Sequence, residues 1–189
     1  MMSSGDRAYR VALAGSLIAL ASVLGLVETA LVPAIPLPGV RLGLANIAIL
    51  LAAALLGLRW ALGVSLCRVA VVGLASGTLG SPAALMALAG AFASWLAYAA
   101  LSRSRRFSVV GWSVAGGAAH VVAQYATLAL LSGTPVLLGL APASVIASAL
   151  CGLVVGMLTL GILSRTPSPL SARAQWVRGV VQGGAAAGR

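Results

Sequence analysis

The side chains able to do chemistry are few, and they stand where the surrounding sequence is apolar. Glu28 ends the first long run of Ala, Val and Leu; Arg41 and Asn46 stand at the mouth of the second. Arg68 lies well inside the third, and His120 and Gln124 lie in the fifth. Spaced four apart, His120 and Gln124 share one helix face, which Gly117 and Ser113 extend by further helical steps. One carboxylate, two guanidiniums, one imidazole and two amides suit ion pairing and hydrogen bonding to a ligand. Glu28 and His120 could also exchange a proton.

Catalysis by the chain alone is not expected. No nucleophile–base–orienter set is visible, and no serine matches an elbow motif. Asp6 and Glu28 are the only acids, so no carboxylate cage for Mg²⁺ or Ca²⁺ is available. A single His without nearby Cys or Asp is a poor start for a metal site. Cys67 and Cys151 fall inside apolar runs without ligand spacing and read as small buried hydrophobes. Neither metal nor cofactor is predicted.

The elements that hold these residues follow from composition. The chain has 189 residues, 61% of them hydrophobic and 7% charged. A soluble domain carries roughly 25% charged residues, so the solvent of this surface is largely lipid. The formal net charge of +10 comes from arginines alone. Most lie in short segments between apolar runs, the pattern of leaflet anchoring and not of nucleic-acid binding.

Six apolar runs approach the ~20 residues of a spanning helix: 11–32, 42–58, 61–79, 83–101, 109–131 and 143–163. They predict an all-α bundle of six transmembrane helices over residues 1–163, followed by a basic, loose tail over 164–189. Breaks carry turn chemistry, as in "PAIPLPG", "TLGSP" and "SGTPVLLGLAP". The second run is short, and a turn from either flank would lengthen it. Arg7 and Arg10, Arg59, the Arg103–Arg106 segment, and Arg165 with the tail all fall on one face of such a bundle. The positive-inside rule makes that face cytoplasmic, with both termini inside. The first run outlasts a secretory h-region and ends at Glu28, so it reads as a helix and not a cleaved signal.

Two small-x-x-x-small pairs, Gly73 with Gly77 and Gly152 with Gly156, let helix backbones approach closely. They serve packing inside the bundle or docking of a partner.

Charge in hydrocarbon costs about 2.5–3.5 kcal/mol per group even on lenient scales. Glu28, Arg41, Asn46 and Gln124 fall in the outer third by depth, and Arg68 and His120 nearer the middle. That banding predicts a polar pocket opening outward, floored by Arg68 and His120. Each residue keeps a plainer alternative. Glu28 would neutralise an arginine, Arg41 would snorkel to headgroups, and Asn46 would bridge helices. His120 would be a neutral ring bonded to a carbonyl or to Gln124. With His neutral, the set carries net +1 and favours an anionic ligand.

The stretches "LVETALVPAIPLPGVRLGLANIAIL", "SLCRVAVVGLASGTLGSPAALMALAGA" and "WSVAGGAAHVVAQ" resemble the Gx transporter family. Many of its members carry the label heptaprenyl diphosphate synthase component I. The likeness runs from about Glu28 through the sixth run, and "PLPGVRLGLAN" is its specific part. It implies kinship with the substrate-binding S components of energy-coupling-factor vitamin transporters. A six-helix fold, an outer pocket and a possible energy-coupling partner in a bacterial inner membrane would follow. The matching positions are Glu28, Arg41, Asn46, Arg68, His120 and Gln124. Family patterns often follow the histidine with asparagine, where this chain has Val121.

Three functions are compatible with this reading. The first is a small-molecule transporter subunit or binding component for an anionic, vitamin- or flavin-like ligand; no Walker motif occurs, so a partner would supply energy. The second is a non-catalytic membrane component of heptaprenyl diphosphate or quinone biosynthesis. The third is an accessory subunit of a membrane redox complex.

Overall fold

The structure is a computed structural model that describes residues 4–31, 43–104, 107–134, 139 and 141–166. Arg41, the "PAIPLPG" segment and the tail beyond Thr166 lie outside the described residues. Among the described residues all regular structure is helical: α1 (Ser4–Leu31), α2 (Ala45–Leu55), α3 (Leu58–Ala75), α4 (Pro82–Leu101), α5 (Val109–Ser132) and α6 (Ala141–Arg165). Five of them, α1 and α3 to α6, are long and apolar enough to cross a membrane. Such a set is the signature of a multi-pass membrane protein.

The second run departs from expectation. It forms an 11-residue helix, α2, about 16 Å long at 1.5 Å per residue and far short of the ~30 Å hydrocarbon layer. Backbone geometry at both ends explains this. Gly43 has φ +72° and Gly57 has φ +100°, conformations that other residues rarely adopt, so the helical path ends at each. α3 restarts directly after Gly57, whose carbonyl accepts the amides of Trp60 and Ala61.

α2 is also the most interior element. Ala45 and the whole of Ala48–Ala54 are buried, against α1, α3, α5 and α6. Its alanines bring neighbouring helices close, and Leu50 and Leu51 fill the space between. α1, α3, α5 and α6 flank it, and the long helices turn large apolar side chains outward. Leu74, Ile146, Leu150 and Leu130 are all well exposed, as suits a surface facing lipid.

The glycine pairs part ways. α5 and α6 pack along Gly152 and Gly156. A Cβ at Gly152 would meet the Ser113 carbonyl at 2.8 Å, and one at Gly156 would meet Val110 Cα at 2.7 Å. The pair therefore serves packing inside the bundle. Gly73 and Gly77 make no such seam: α3 ends at Ala75, and Gly77 turns the chain with φ +67°.

Both cysteines are thiols: Cys151 is partly buried, but Cys67 is exposed on the outer face of α3, not buried as the sequence implied.

Candidate functional site

Glu28 is buried in the last turn of α1. Its Oε1 accepts the backbone N–H of Gly43 at 2.6 Å. The positive φ of Gly43 forms part of the turn that enters α2, so the carboxylate pins the start of that helix. Asn46, half-buried in the first turn of α2, donates its backbone N–H to the Gly43 carbonyl at 2.9 Å, and its side chain lines the same crevice as Glu28. Arg68 is buried midway along α3, opposite Gly25 of α1. A Cβ at Gly25 would come within 3.4 Å of Arg68 Nε, so the glycine makes room for the guanidinium.

His120 is buried on α5 and lies flat on α4. A Cβ at Gly90 would stand 2.7 Å from its Cε1 and Nε2. Its Nδ1 is 3.3 Å from Ser94 Oγ. The Ser94 hydroxyl has one proton and two backbone carbonyls to give it to, Gly90 at 3.0 Å and Gly116 at 2.9 Å. A hydroxyl that gives its proton to either carbonyl can accept from the ring, so this contact suits a proton on Nδ1.

Two adjoining crevices bring these residues together. One, of about 20 Å³, is lined by Glu28, Gly43, Asn46, Arg68, His120 and Val121, with Gly117 and Ser148. The other, of about 10 Å³, includes Asn46, Ser65, Arg68, Ser94, Tyr98 and His120. Asn46, Arg68 and His120 line both. Residues from all six helices thus meet at one place. Each crevice holds about one water molecule, too little for a small-molecule ligand in this conformation.

Of the six residues singled out from the sequence, Glu28, Asn46, Arg68 and His120 share this cluster. Gln124 is buried one turn beyond His120 and does not line these two crevices. Arg41 lies outside the described residues. Val121, where the family pattern often has asparagine, is buried and forms an apolar wall of the larger crevice.

Sequence reasoning missed Ser94, Ser148, Ser65 and Tyr98. The nearest signal is the pairing of Gly90 with Ser94 one turn apart on α4, the spacing that seats the imidazole. Tyr98 is almost fully buried and packs on Gly116 so closely that no Cβ fits between them. Among the described residues no three of His, Cys, Asp and Glu come together to hold a metal.

A far roomier cavity, about 540 Å³, lies at the other end of the bundle, beside Gly57 and Arg59. None of Glu28, Asn46, Arg68 and His120 reaches it.

Comparison with curated proteins and with solved structures found no match. The model of one family does match, over residues 17–162, and those residues hold Glu28, Asn46, Arg68, His120 and Gln124. The chain belongs to the family described as heptaprenyl diphosphate synthase component I.

Proposed function

We propose that the chain is the substrate-binding component of a membrane transport system, taking a small anionic, vitamin- or flavin-like molecule at the Glu28–Asn46–Arg68–His120 cluster. One observation carries this reading. In a bundle whose other buried residues among those described are apolar or carry only hydroxyl or amide groups, a carboxylate, a guanidinium and an imidazole from three helices line one crevice. A scatter of lipid-facing groups would not converge in this way, and ionisable groups at such depth commonly mark substrate pathways. Arg68 holds the anionic group of the ligand, with Arg41 contributing from the segment before Gly43. Asn46, His120 and Gln124 give hydrogen bonds, and Glu28 holds the entry to α2 in place.

Because the crevices are water-sized, the ligand enters only when helices part at the Gly43 end. That end is the outer one by the arginine distribution, with both termini cytoplasmic in a bacterial inner membrane. Energy for the cycle comes from a coupling partner.

Native mass spectrometry of the gently purified protein tests this directly. The expected result is a retained small molecule in the wild type, lost in Arg68→Ala and reduced in Glu28→Gln. Full retention in both variants counts against the cluster as the site.

The family description favours a second reading, a non-catalytic membrane component of heptaprenyl diphosphate synthesis. Trans-prenyl synthases hold diphosphates through Mg²⁺ on aspartate-rich motifs, and this sequence, with two acids, has none. The second reading therefore requires a soluble synthase as partner. It predicts co-purification with that enzyme and loss of long-chain product when this chain is removed.

A further inference from the structure

The cavity at the arginine-rich end owes nothing to the outer cluster and has a different chemistry. At about 540 Å³ it falls in the range of ordinary ligand pockets. Arg10 reaches it from the start of α1 and Arg59 from the start of α3. Trp60, Trp112 and Leu56 form an apolar wall, and Ser102 adds a hydroxyl. No acid lines it among the described residues. The lining thus has two halves, one cationic and one aromatic-apolar.

We propose that this cavity seats the phosphate head of an anionic phospholipid, with the start of its acyl chains lying against the indoles. Arginine forks suit phosphate oxygens and keep their charge throughout the accessible pH range. Leu58, Arg59 and Trp60 are the first turn of the 18-residue α3, so its positive end also points to this place. A free phosphate ion would use the guanidiniums and leave the apolar half of the cavity unfilled. A phospholipid uses both, since Trp is at home where headgroup meets hydrocarbon. The lipid would come from the leaflet at this end, because the cavity lies where five long apolar helices begin or end.

The test uses the full chain in a neutral detergent, titrated with phosphatidylglycerol and followed by native mass spectrometry. One tightly held lipid per chain is expected, weakened about thirtyfold in Arg10→Gln/Arg59→Gln, since each arginine near a lipid surface contributes about 1 kcal/mol and about 1.4 kcal/mol is tenfold. Arg7→Gln/Arg103→Gln removes the same charge from the same end, but neither residue lines the cavity, and that lipid should stay within about twofold. A brominated phosphatidylglycerol should quench the tryptophan fluorescence of the unaltered protein, and less so in Trp60→Phe, a readout that does not depend on the arginine variants folding. Equal losses in the two arginine pairs overturn the proposal. So does phosphatidylcholine held as tightly as phosphatidylglycerol, or inorganic phosphate displacing the lipid at equal concentration.

Discussion

The Gly43 amide donates to the Glu28 carboxylate at 2.6 Å, across a gap of 15 residues in sequence. This bond ties the end of α1 to the entry of α2 and gives the buried acid a backbone partner. Glu28→Ala leaves that amide without its acceptor and should cost about 1–3 kcal/mol. Glu28→Gln keeps an acceptor oxygen and should recover most of the loss. Thermal unfolding of the three proteins in one detergent decides between them; equal melting temperatures would remove the bond from the account.

The imidazole of His120 occupies the space that a side chain at position 90 would need. Gly90→Ala should therefore cost about 1–3 kcal/mol through overpacking. In a His120→Ala background the ring is gone, and the same change should be close to neutral. A double-mutant cycle reads this coupling. Additive losses would mean that the ring does not lie on Gly90.

The α5–α6 seam offers a contrast within one helix. Gly152→Ala and Gly156→Ala press a methyl group against backbone atoms of α5, which cannot swing aside as a side chain can. Each should destabilise by about 1–3 kcal/mol. Gly161→Ala, on the same helix with nothing within 4 Å of the added carbon, should be neutral or raise stability by up to about 1 kcal/mol. Equal effects at the three positions would count against the seam.

Cys67 tests what covers the outer surface. It is exposed on α3, yet lipid would surround it if that helix crosses the bilayer. A charged maleimide reacts with thiolate in water. It should leave Cys67 unmodified in intact membranes and label it after solubilisation in a denaturing detergent. Rapid labelling in membranes would place that face of α3 against water.

Much of the candidate site could be read from residue types because charge is rare in this chain. Glu28, Arg68 and His120 announced themselves by standing where hydrocarbon penalises them, and helical spacing placed His120 beside Gly117. Ser94 gave no such signal. A serine in an apolar helix can satisfy its hydroxyl on its own preceding carbonyl, as Ser94 does with Gly90, so its type does not reveal that it also meets a histidine. The length of α2 was hidden for another reason. The apolar run from Leu42 to Leu58 is interrupted only at Asn46, and the backbone torsions at Gly43 and Gly57 cut the helix short inside it. The Gly73–Gly77 pair failed similarly, since spacing promises a helical face only if the helix continues.

The shortness of α2 has a consequence for biogenesis. A translocon sorts segments by how well each spans the hydrocarbon layer unaided, and eleven residues do not. The inner helix must enter with its neighbours already at hand, its bare ends covered by α1 and α3. Membrane insertion of this chain is therefore a cooperative act, and a ribosome stalled just after α2 has left its exit tunnel, with α3 still inside, should expose α2 to protease while α1 is already protected.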